Sequence, residues 1–355
     1  MRRLYHRALA FALALGATGL FVAAVVAHRS PATGYELSLY GATPTLVWVG
    51  LGAAAVVGLV AALTTDRSSR LGGVGLFLVG CAGVVLTAIP VLRGYRFYGG
   101  GDSLSHLGWA REMAAGVFSP TDLLYPGIHT LSVAVSSVAG VDLPLAMLYV
   151  VGVAFPAVFL LTVPLVVRLV SDTRRAYAIG LAAAALFVPI NNISVHPIAH
   201  PTSQAILFLP TAVFLSLAYA YDCSADASAV ASPSTDAAGS PTVTDGSGRV
   251  GVTGAGALLA VVSVAIVLIH PQQALNVALV FFAVTVLQLL YRQFAPDHRV
   301  ASHRWLGVQA VIVAAAFVAW APRFDRATGT FSYTLASILG ERRPPARSSP
   351  PSPPR

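Results

Sequence analysis

Residues 99–140 have the sequence GGGDSLSHLGWAREMAAGVFSPTDLLYPGIHTLSVAVSSVAG, the longest hydrophilic interruption among the early apolar segments of the chain. Asp102 follows three glycines, which predicts a helix N-cap whose carboxylate accepts free backbone N–H groups. The residues after it predict one amphipathic helix that is closed by Gly116. Because helical residues four apart share a face, Asp102 and His106 are expected to project in the same direction.

The second half of this stretch turns the chain back at YPGIH, which presents Tyr125 and His129. The segment from His129 to Gly140 is short and Ser-rich. It is therefore predicted to lie on the membrane surface or to be re-entrant instead of crossing the bilayer. We interpret the whole stretch as an extracytoplasmic active-site loop.

The composition defines the class of protein. Hydrophobic residues make up 56% of the chain, charged residues 10%, and the mean hydropathy is +0.74, values that exclude a soluble globular chain. The net charge of +8 comes from arginine alone, mostly in short loops beside apolar runs, which indicates membrane topology and excludes nucleic acid as a partner. The two cysteines have neither a disulfide pattern nor a metal-binding spacing.

Apolar runs predict an all-α, polytopic transmembrane helix bundle of about nine spans. The predicted spans are residues 8–27, 44–63, 71–92, 144–169, 177–190, 204–221, 252–270, 272–291 and 305–321. The predicted organisation is an N-terminal hairpin (1–70), a core (71–322) with an outer loop (93–143) and a disordered cytoplasmic connector (222–250), and a disordered or truncated tail (323–355).

The arginines predict the orientation of these spans. If the N-terminus lies in the cytoplasm, the outer loops hold only Arg29, Arg93, Arg96 and Arg111. The inner segments hold the larger set of Arg2, Arg3, Arg7, Arg67, Arg70, Arg168, Arg174, Arg175, Arg249, Arg292, Arg299 and Arg304. This positive-inside bias predicts a multi-pass protein of the cell membrane with a cytoplasmic N-terminus.

This topology gathers ionisable residues on the outer face, where they are candidates for a functional site. They are Asp102, His106, His129, His196, His200 and His270. Simpler roles remain open for each: a helix cap for Asp102, packing for His106 and His129, and helix-end His-Pro pairs for the other three. Trp109 and Tyr125 are equally consistent with interfacial anchors. Only Asp102 and His106 have helical ligand spacing, so no metal ligands are assigned.

Three elements carry a family resemblance: D-x-x-x-H from Asp102, A-R-E-M-x-x-G up to Gly116, and Y-P-G-x-H from Tyr125. Together they resemble the GT-C superfold membrane glycosyltransferases, which are similar to protein mannosyltransferases and oligosaccharyltransferase catalytic subunits. The resemblance covers chiefly residues 98–140 and 145–170. The chain departs from the family in having a single acidic residue in this loop and none in the second outer loop.

The resemblance implies transfer of a sugar from a polyprenyl-phosphate donor to an acceptor on the outer face, with membrane lipids as further partners. Asp102 would be the catalytic residue, either as general base or as ligand of a divalent cation such as Mg²⁺ or Mn²⁺. The leaving phosphate would meet His106 and Arg111. The predicted substrate-binding residues are His106, Arg111, Tyr125, His129, His196 and His270.

Two other functions compete with this prediction. A secondary transporter or permease would have broken helices, and Pro156, Pro164, Pro189 and Pro210 do interrupt predicted spans. However, the halves show no repeat, and no acidic residue lies deep inside a span. The other alternative is a catalytically inactive membrane scaffold.

Overall fold

The computed structural model describes residues 2–66, 69–188, 196–230 and 253–325, together with 328, 329 and 332. Within these ranges the chain is helical and contains no β-strand. In chain order the helices are α1 (Arg2–Arg29), α2 (Leu39–Ala42), α3 (Thr45–Thr64), α4 (Arg70–Thr87), α5 (Ile89–Leu92), α6 (Asp102–Ala114), α7 (Gly127–Ala139), α8 (Leu143–Tyr149), α9 (Phe155–Val170), α10 (Arg174–Phe187), α11 (Pro201–Val230), α12 (Gly254–Ile269), α13 (Pro271–Phe294), α14 (Arg299–Ser302) and α15 (Gly307–Trp320).

The predicted class, a multi-span helical membrane protein, is confirmed. In the described ranges, six segments are long and apolar enough to cross a membrane: Arg3–Arg29, Thr45–Thr64, Arg70–Thr87, Leu143–Val170, Pro201–Tyr221 and Pro271–Phe294. The other three predicted spans correspond to α10, α12 and α15, which have 14, 16 and 14 residues. At 1.5 Å per residue these helices are about 21–24 Å long, shorter than the ~30 Å hydrocarbon core.

Prolines shape two of the predicted spans. The run 71–92 is broken at Ala88, between α4 and α5, just before Pro90. The run 144–169 is continuous, but a π-helical turn, Val150–Ala154, joins α8 to α9 and ends two residues before Pro156. Proline lacks an N–H group and its ring crowds the preceding turn, so a wider turn at this point accommodates it within the span.

Close backbone contacts hold the N-terminal helices together. Gly58 of α3 faces Gly75 of α4, and a Cβ atom on either residue would overlap the carbonyl oxygen of the other. Small residues permit such close approach between helices in a membrane, where dispersion replaces hydrophobic burial as the driving force. Helix α4 packs in turn on α9, through Gly83 and Leu160. The packing is therefore continuous across residue 70, the predicted end of the N-terminal hairpin.

A buried ion pair fixes the loop that follows α1 to the loop that leads to Asp102. The guanidinium group of Arg93 donates to both carboxylate oxygens of Glu36, at 2.7 and 2.6 Å, and to the carbonyl of Ser30 at 2.9 Å. Only 4% of the Arg93 side chain and 16% of the Glu36 side chain are exposed. The hydrogen bond from Arg93 lowers the pKa of Glu36. Burial raises the pKa of Tyr95, whose hydroxyl donates to Glu36, to about 12.

Side-chain to backbone hydrogen bonds connect the loops at each end of the bundle. At one end, Arg174 donates to the carbonyl of Asp66 at 2.6 Å. At the other end, Trp320, the last residue of α15, donates from Nε1 to the carbonyl of Leu124 at 2.8 Å. The second contact brings the C-terminal helices against the segment that contains Tyr125.

Helix α11 runs to Val230 and therefore extends into the segment predicted as a disordered connector, 222–250. The first nine residues of that prediction, DCSADASAV, are therefore helical, consistent with the high helix propensity of their alanines. Residues 231–250 lie outside the described residues, as does the predicted tail apart from 323–325 and positions 328, 329 and 332.

Candidate functional site

Asp102 is the first residue of α6, and its predicted role as N-cap is wrong. Gly101 occupies the cap position with φ +56°, and no side chain caps the helix. The Asp102 side chain is 81% exposed, and Oδ2 lies 3.9 Å from Nε2 of His200. Because the helix begins at Asp102 itself, one residue earlier than an N-cap at this position would require, the carboxylate makes no capping bond and faces the histidine.

The other end of α6 agrees with the prediction. Gly116 adopts φ +71°, its N–H bonds to the carbonyl of Met113 at 3.1 Å, and the N–H of Val117 bonds to the carbonyl of Glu112 at 2.9 Å. This pair of bonds is a Schellman motif, which requires a residue in the left-handed region. Glycine therefore ends the helix as predicted.

His106 and His129 form a hydrogen-bonded pair between α6 and α7. His106 Nδ1 and His129 Nε2 are 3.1 Å apart, and the two residues are 4% and 0% exposed. When both rings are neutral, one of these two nitrogens donates the proton and the other accepts it. Nδ1 of His129 is buried and has no hydrogen-bond partner among the described residues.

Burial also sets the charge of this pair. It lowers the pKa of His106 to about 3, with smaller contributions from His129 and His200, and it lowers the pKa of His129 to about 4. Both imidazoles are therefore neutral near pH 7. Burial lowers the pKa of His200 as well, although Asp102 acts in the opposite direction.

His200 and His270 occupy equivalent positions, because each immediately precedes a helix that begins with proline. Proline is favoured at the first helical position, and the residue before it adopts an extended conformation, as His270 does at φ −161° and ψ 103°. Buried Gln204 fixes the first of these turns: Oε1 accepts from the backbone N–H of His200 at 3.0 Å, and Nε2 donates to the carbonyl of Ile198 at 2.9 Å.

These elements enclose a cavity of about 370 Å³, which we call the Asp102 cavity. Tyr125 and His270 stack on one side, with ring centroids 6.0 Å apart and planes 16° apart. The hydroxyl of Thr202 lies 2.9 Å from Nε2 of His270. The cavity is lined by Asp102, Ser105, His106, Trp109, Tyr125, His200, Pro201, Thr202 and His270.

The structure brings together some of the predicted site residues and separates others. His106, Tyr125 and His270 line the cavity with Asp102, and His129 lies behind His106. His196 does not reach it. The ring of His196 is fully buried elsewhere, with Nε2 3.0 Å from the carbonyl of Thr87 and Nδ1 3.2 Å from the hydroxyl of Tyr40.

Arg111 also lies outside the Asp102 cavity. It lines a separate cavity, together with Arg96, Asp142 and Tyr149. Arg111 is nine residues after Asp102, and nine steps of 100° place it on the opposite side of α6. The helical period therefore accounts for the separation.

Four polar residues of the cavity or its support were not predicted as binding residues: Ser105, His200, Thr202 and Gln204. His200 was placed on the outer face but given no binding role, and Thr202 and Gln204 were not considered. The available pattern was HPTSQ, in which polar residues occupy the first turn of a helix that begins with His-Pro. Among the described residues, no group of three His, Cys, Asp or Glu side chains is arranged to hold a metal ion.

Gly127→Ala is expected to destabilise the site locally. A Cβ at this first residue of α7 would lie 2.9–3.1 Å from atoms of Ile269, immediately before His270. The helices must separate to accommodate it, at a cost of about 1–2 kcal/mol. Gly108→Ala on α6 is the matched control, because its Cβ would meet no atom. Melting of both variants in detergent should show a lower midpoint for Gly127→Ala only, and equal midpoints would contradict this packing.

Acid is expected to destabilise the protein through the His106–His129 pair. The folded-state pKa values of about 3 and 4 lie below the unfolded value of 6.5, so the unfolded chain binds more protons as pH falls. The contribution of the two neutral histidines to the free energy of unfolding is therefore fully present above pH 6.5. It declines from there towards pH 4, by up to ~1.4 kcal/mol per pH unit for each histidine. Melting at several pH values should show that the melting temperature falls less steeply with acid in His129→Gln than in the control His28→Gln, which replaces an exposed histidine. Equal slopes would exclude the pair as the cause.

The fold and this cavity together define a multi-span helical membrane protein with a polar, histidine-lined cavity at one end of its bundle. Comparisons with known protein families, curated proteins and solved structures find no match.

Proposed function

We propose that this chain is a membrane glycosyltransferase, which transfers a sugar from a polyprenyl-phosphate carrier to an acceptor on the extracytoplasmic face of the cell membrane. The observation that carries the proposal is the exposed carboxylate of Asp102 at a cavity walled by aromatic rings and neutral imidazoles. Glycosyl transfer needs such a carboxylate, because the acceptor hydroxyl is a weak nucleophile and must lose its proton.

In the proposed reaction, Asp102 accepts the proton of the acceptor hydroxyl. The acceptor oxygen forms a bond to the anomeric carbon, and the bond from that carbon to the carrier phosphate breaks, leaving its electron pair on the phosphate. The negative carboxylate also stabilises the positive character that develops at the anomeric carbon. His200, 3.9 Å from Asp102, is placed to remove the proton afterwards.

The walls of the cavity suit a sugar. Trp109 and the stacked pair of Tyr125 and His270 offer aromatic faces, which pack against the apolar C–H faces of a pyranose ring. The hydroxyls of Ser105 and Thr202 can hydrogen-bond to sugar hydroxyls or to the leaving phosphate. Arg111 is not assigned to the phosphate, since it lies across α6.

The proposal gives Asp102 the role of base. Its alternative role, as a ligand of a divalent cation, would require further ligand groups close to the carboxylate. The imidazole closest to Asp102 in the cavity is that of His200, at 3.9 Å. Two such groups 3.9 Å apart are better suited to exchanging a proton through water than to forming a complete ligand set.

The proposed topology has nine crossings with a cytoplasmic N-terminus: the six long segments plus α10, α12 and α15. Two observations support it. Nine successive crossings place the loops alternately on the two sides of the membrane. Arg174 and Asp66 then lie on one side and Trp320 and Leu124 on the other, so each observed contact joins loops of the same side. The arginine bias favours the Asp66 side as cytoplasmic. Helix α7, with 13 residues and about 20 Å long, would then be a surface-lying or re-entrant helix on the outer side.

The proposal is tested by incubating membranes that contain the chain with labelled polyprenyl-phosphate sugars and following label that leaves the carrier. We expect release that depends on the chain and on an added acceptor, together with outside-only labelling of a cysteine placed at position 102. A permease would instead move label across vesicles without cleaving the donor. Cytoplasmic labelling of position 102, or an intact donor in every acceptor mixture, would refute the transferase.

A further inference from the structure

A third cavity, which we call the α4–α9 groove, lies along the membrane-facing side of α4, α9 and α10. Its volume is about 810 Å³, more than twice that of the Asp102 cavity. The residues that line it are mainly apolar. Two of these residues, Phe77 and Leu161, are 74% and 56% exposed. In a membrane protein, such exposed apolar walls face hydrocarbon.

The floor of the groove is made by glycines that helix packing does not require. Gly73 and Gly80 lie seven residues apart, about two turns, on one face of α4. A Cβ atom on either would meet nothing within 4 Å. By contrast, a Cβ on Gly75 would overlap Gly58, and one on Gly83 would crowd Leu160. The first two glycines therefore keep the groove open, whereas the other two bring helices together.

One end of the groove is polar. Arg168 and Arg174 line it there, with Asp172, Thr173 and Tyr177. Arg168 and Asp172 form a loose pair at 3.6 Å, with more than half of each side chain exposed. This end lies near the start of α4, because Arg174 also contacts Asp66. The opposite end of α4 is marked by Thr87, whose carbonyl is hydrogen-bonded to His196. The groove thus runs from charged groups at one membrane surface into the apolar interior.

We propose that the α4–α9 groove binds a phospholipid with an anionic headgroup, one acyl chain lying over Gly73 and Gly80 and the phosphate meeting Arg168 and Arg174. Arginine suits phosphate oxygens because its planar guanidinium group donates two hydrogen bonds at once. The net positive charge of two arginines and one aspartate favours an anionic over a zwitterionic lipid. The inference does not rest on the proposed transferase activity, because the groove and the Asp102 cavity share no lining residue.

The test is to purify the chain from vesicles of phosphatidylcholine with a minor share of phosphatidylglycerol and to identify retained lipid by native mass spectrometry. Wild type should retain phosphatidylglycerol. Gly80→Phe should lower its occupancy at least about tenfold, because the ring displaces several methylenes of the chain. Gly52→Phe on α3 is the matched control, as its Cβ position is also empty but lies outside the groove. Arg168→Gln should lower the preference for phosphatidylglycerol over phosphatidylcholine about fivefold.

Three outcomes would overturn the proposal. Equal phosphatidylglycerol occupancy in wild type and Gly80→Phe would place the lipid elsewhere. Displacement of the retained signal by excess inorganic phosphate would show that a free anion, with no acyl chain, accounts for the binding. A changed oligomeric state in Gly80→Phe with unchanged lipid content would assign the groove to a second copy of the chain.

Discussion

Asp102→Asn is expected to lower the rate of sugar transfer at least about 100-fold, the usual contribution of a positioned general base. Asparagine keeps the size of the side chain but cannot accept the proton of the acceptor hydroxyl. The fold should be unaffected, because the Asp102 side chain is 81% exposed and caps no helix. The measurement is transfer from a labelled polyprenyl-phosphate sugar in membranes, with the melting temperature recorded for the same preparations.

Two variants separate this effect from a general change of charge. Asp142→Asn removes an exposed carboxylate before α8 that makes no capping bond, and Arg111→Gln removes a charge on the opposite side of α6. Both line the cavity that is separate from Asp102. Each is expected to stay within about threefold of wild type, since surface charge away from a site has small effects. A loss in Asp142→Asn as large as in Asp102→Asn, or full activity in Asp102→Asn, would refute the assignment.

Arg93→Gln is expected to lower the free energy of unfolding by about 2–3 kcal/mol, the largest effect of a single substitution on stability that we predict. The variant leaves the carboxylate of Glu36 and the carbonyl of Ser30 without their buried partner. Because the pKa of Glu36 is held below its usual value by Arg93, this contribution is present above pH 4.5 and is lost as pH falls through the lowered value. Denaturation in detergent at pH 7 and pH 4 should therefore show a smaller difference between variant and wild type in acid.

The matched control is Arg96→Gln, which removes an exposed arginine three residues further on and should change stability by less than about 0.5 kcal/mol. A double-mutant cycle with Glu36→Gln isolates the pair. If Arg93→Gln and Arg96→Gln have the same effect, the ion pair does not connect the two loops. Since Gly101 is only eight positions after Arg93, a loosened loop should also lower transfer activity in Arg93→Gln.

Helix existence was predicted well, whereas helix length was not. Apolar runs specify which segments leave water, so each of the nine predicted spans contains a helix among the described residues. Hydropathy does not specify where a helix begins and ends. Backbone geometry decides this at Ala88, where α4 gives way to α5. Helix α11 likewise continues past Asp222, the predicted start of the connector, to Val230. The predicted nine spans consequently include three helices of only 14–16 residues.

The residues of the candidate site also fall into two groups, those that the helical period places correctly and those that it does not. Asp102 and His106 are four residues apart on one helix, so the period alone places both on the cavity. The same period places Arg111 on the opposite side of α6, away from the cavity, although the resemblance implied that Arg111 contacts the leaving phosphate. His196 and His200 are also four apart, but they lie in a loop, where spacing specifies no direction. One is buried beside Thr87 and the other faces Asp102.

By itself the sequence determined that this is a helical membrane protein, where its apolar segments lie, and which histidines and carboxylates stand between them. These properties are local, because they follow from the solvation of side chains and from the 3.6-residue period. Only the tertiary structure decided that His200 and His270, 70 residues apart along the chain, line one cavity with Asp102. Such convergence depends on how helices pack through glycine contacts and loop hydrogen bonds, which no single segment encodes.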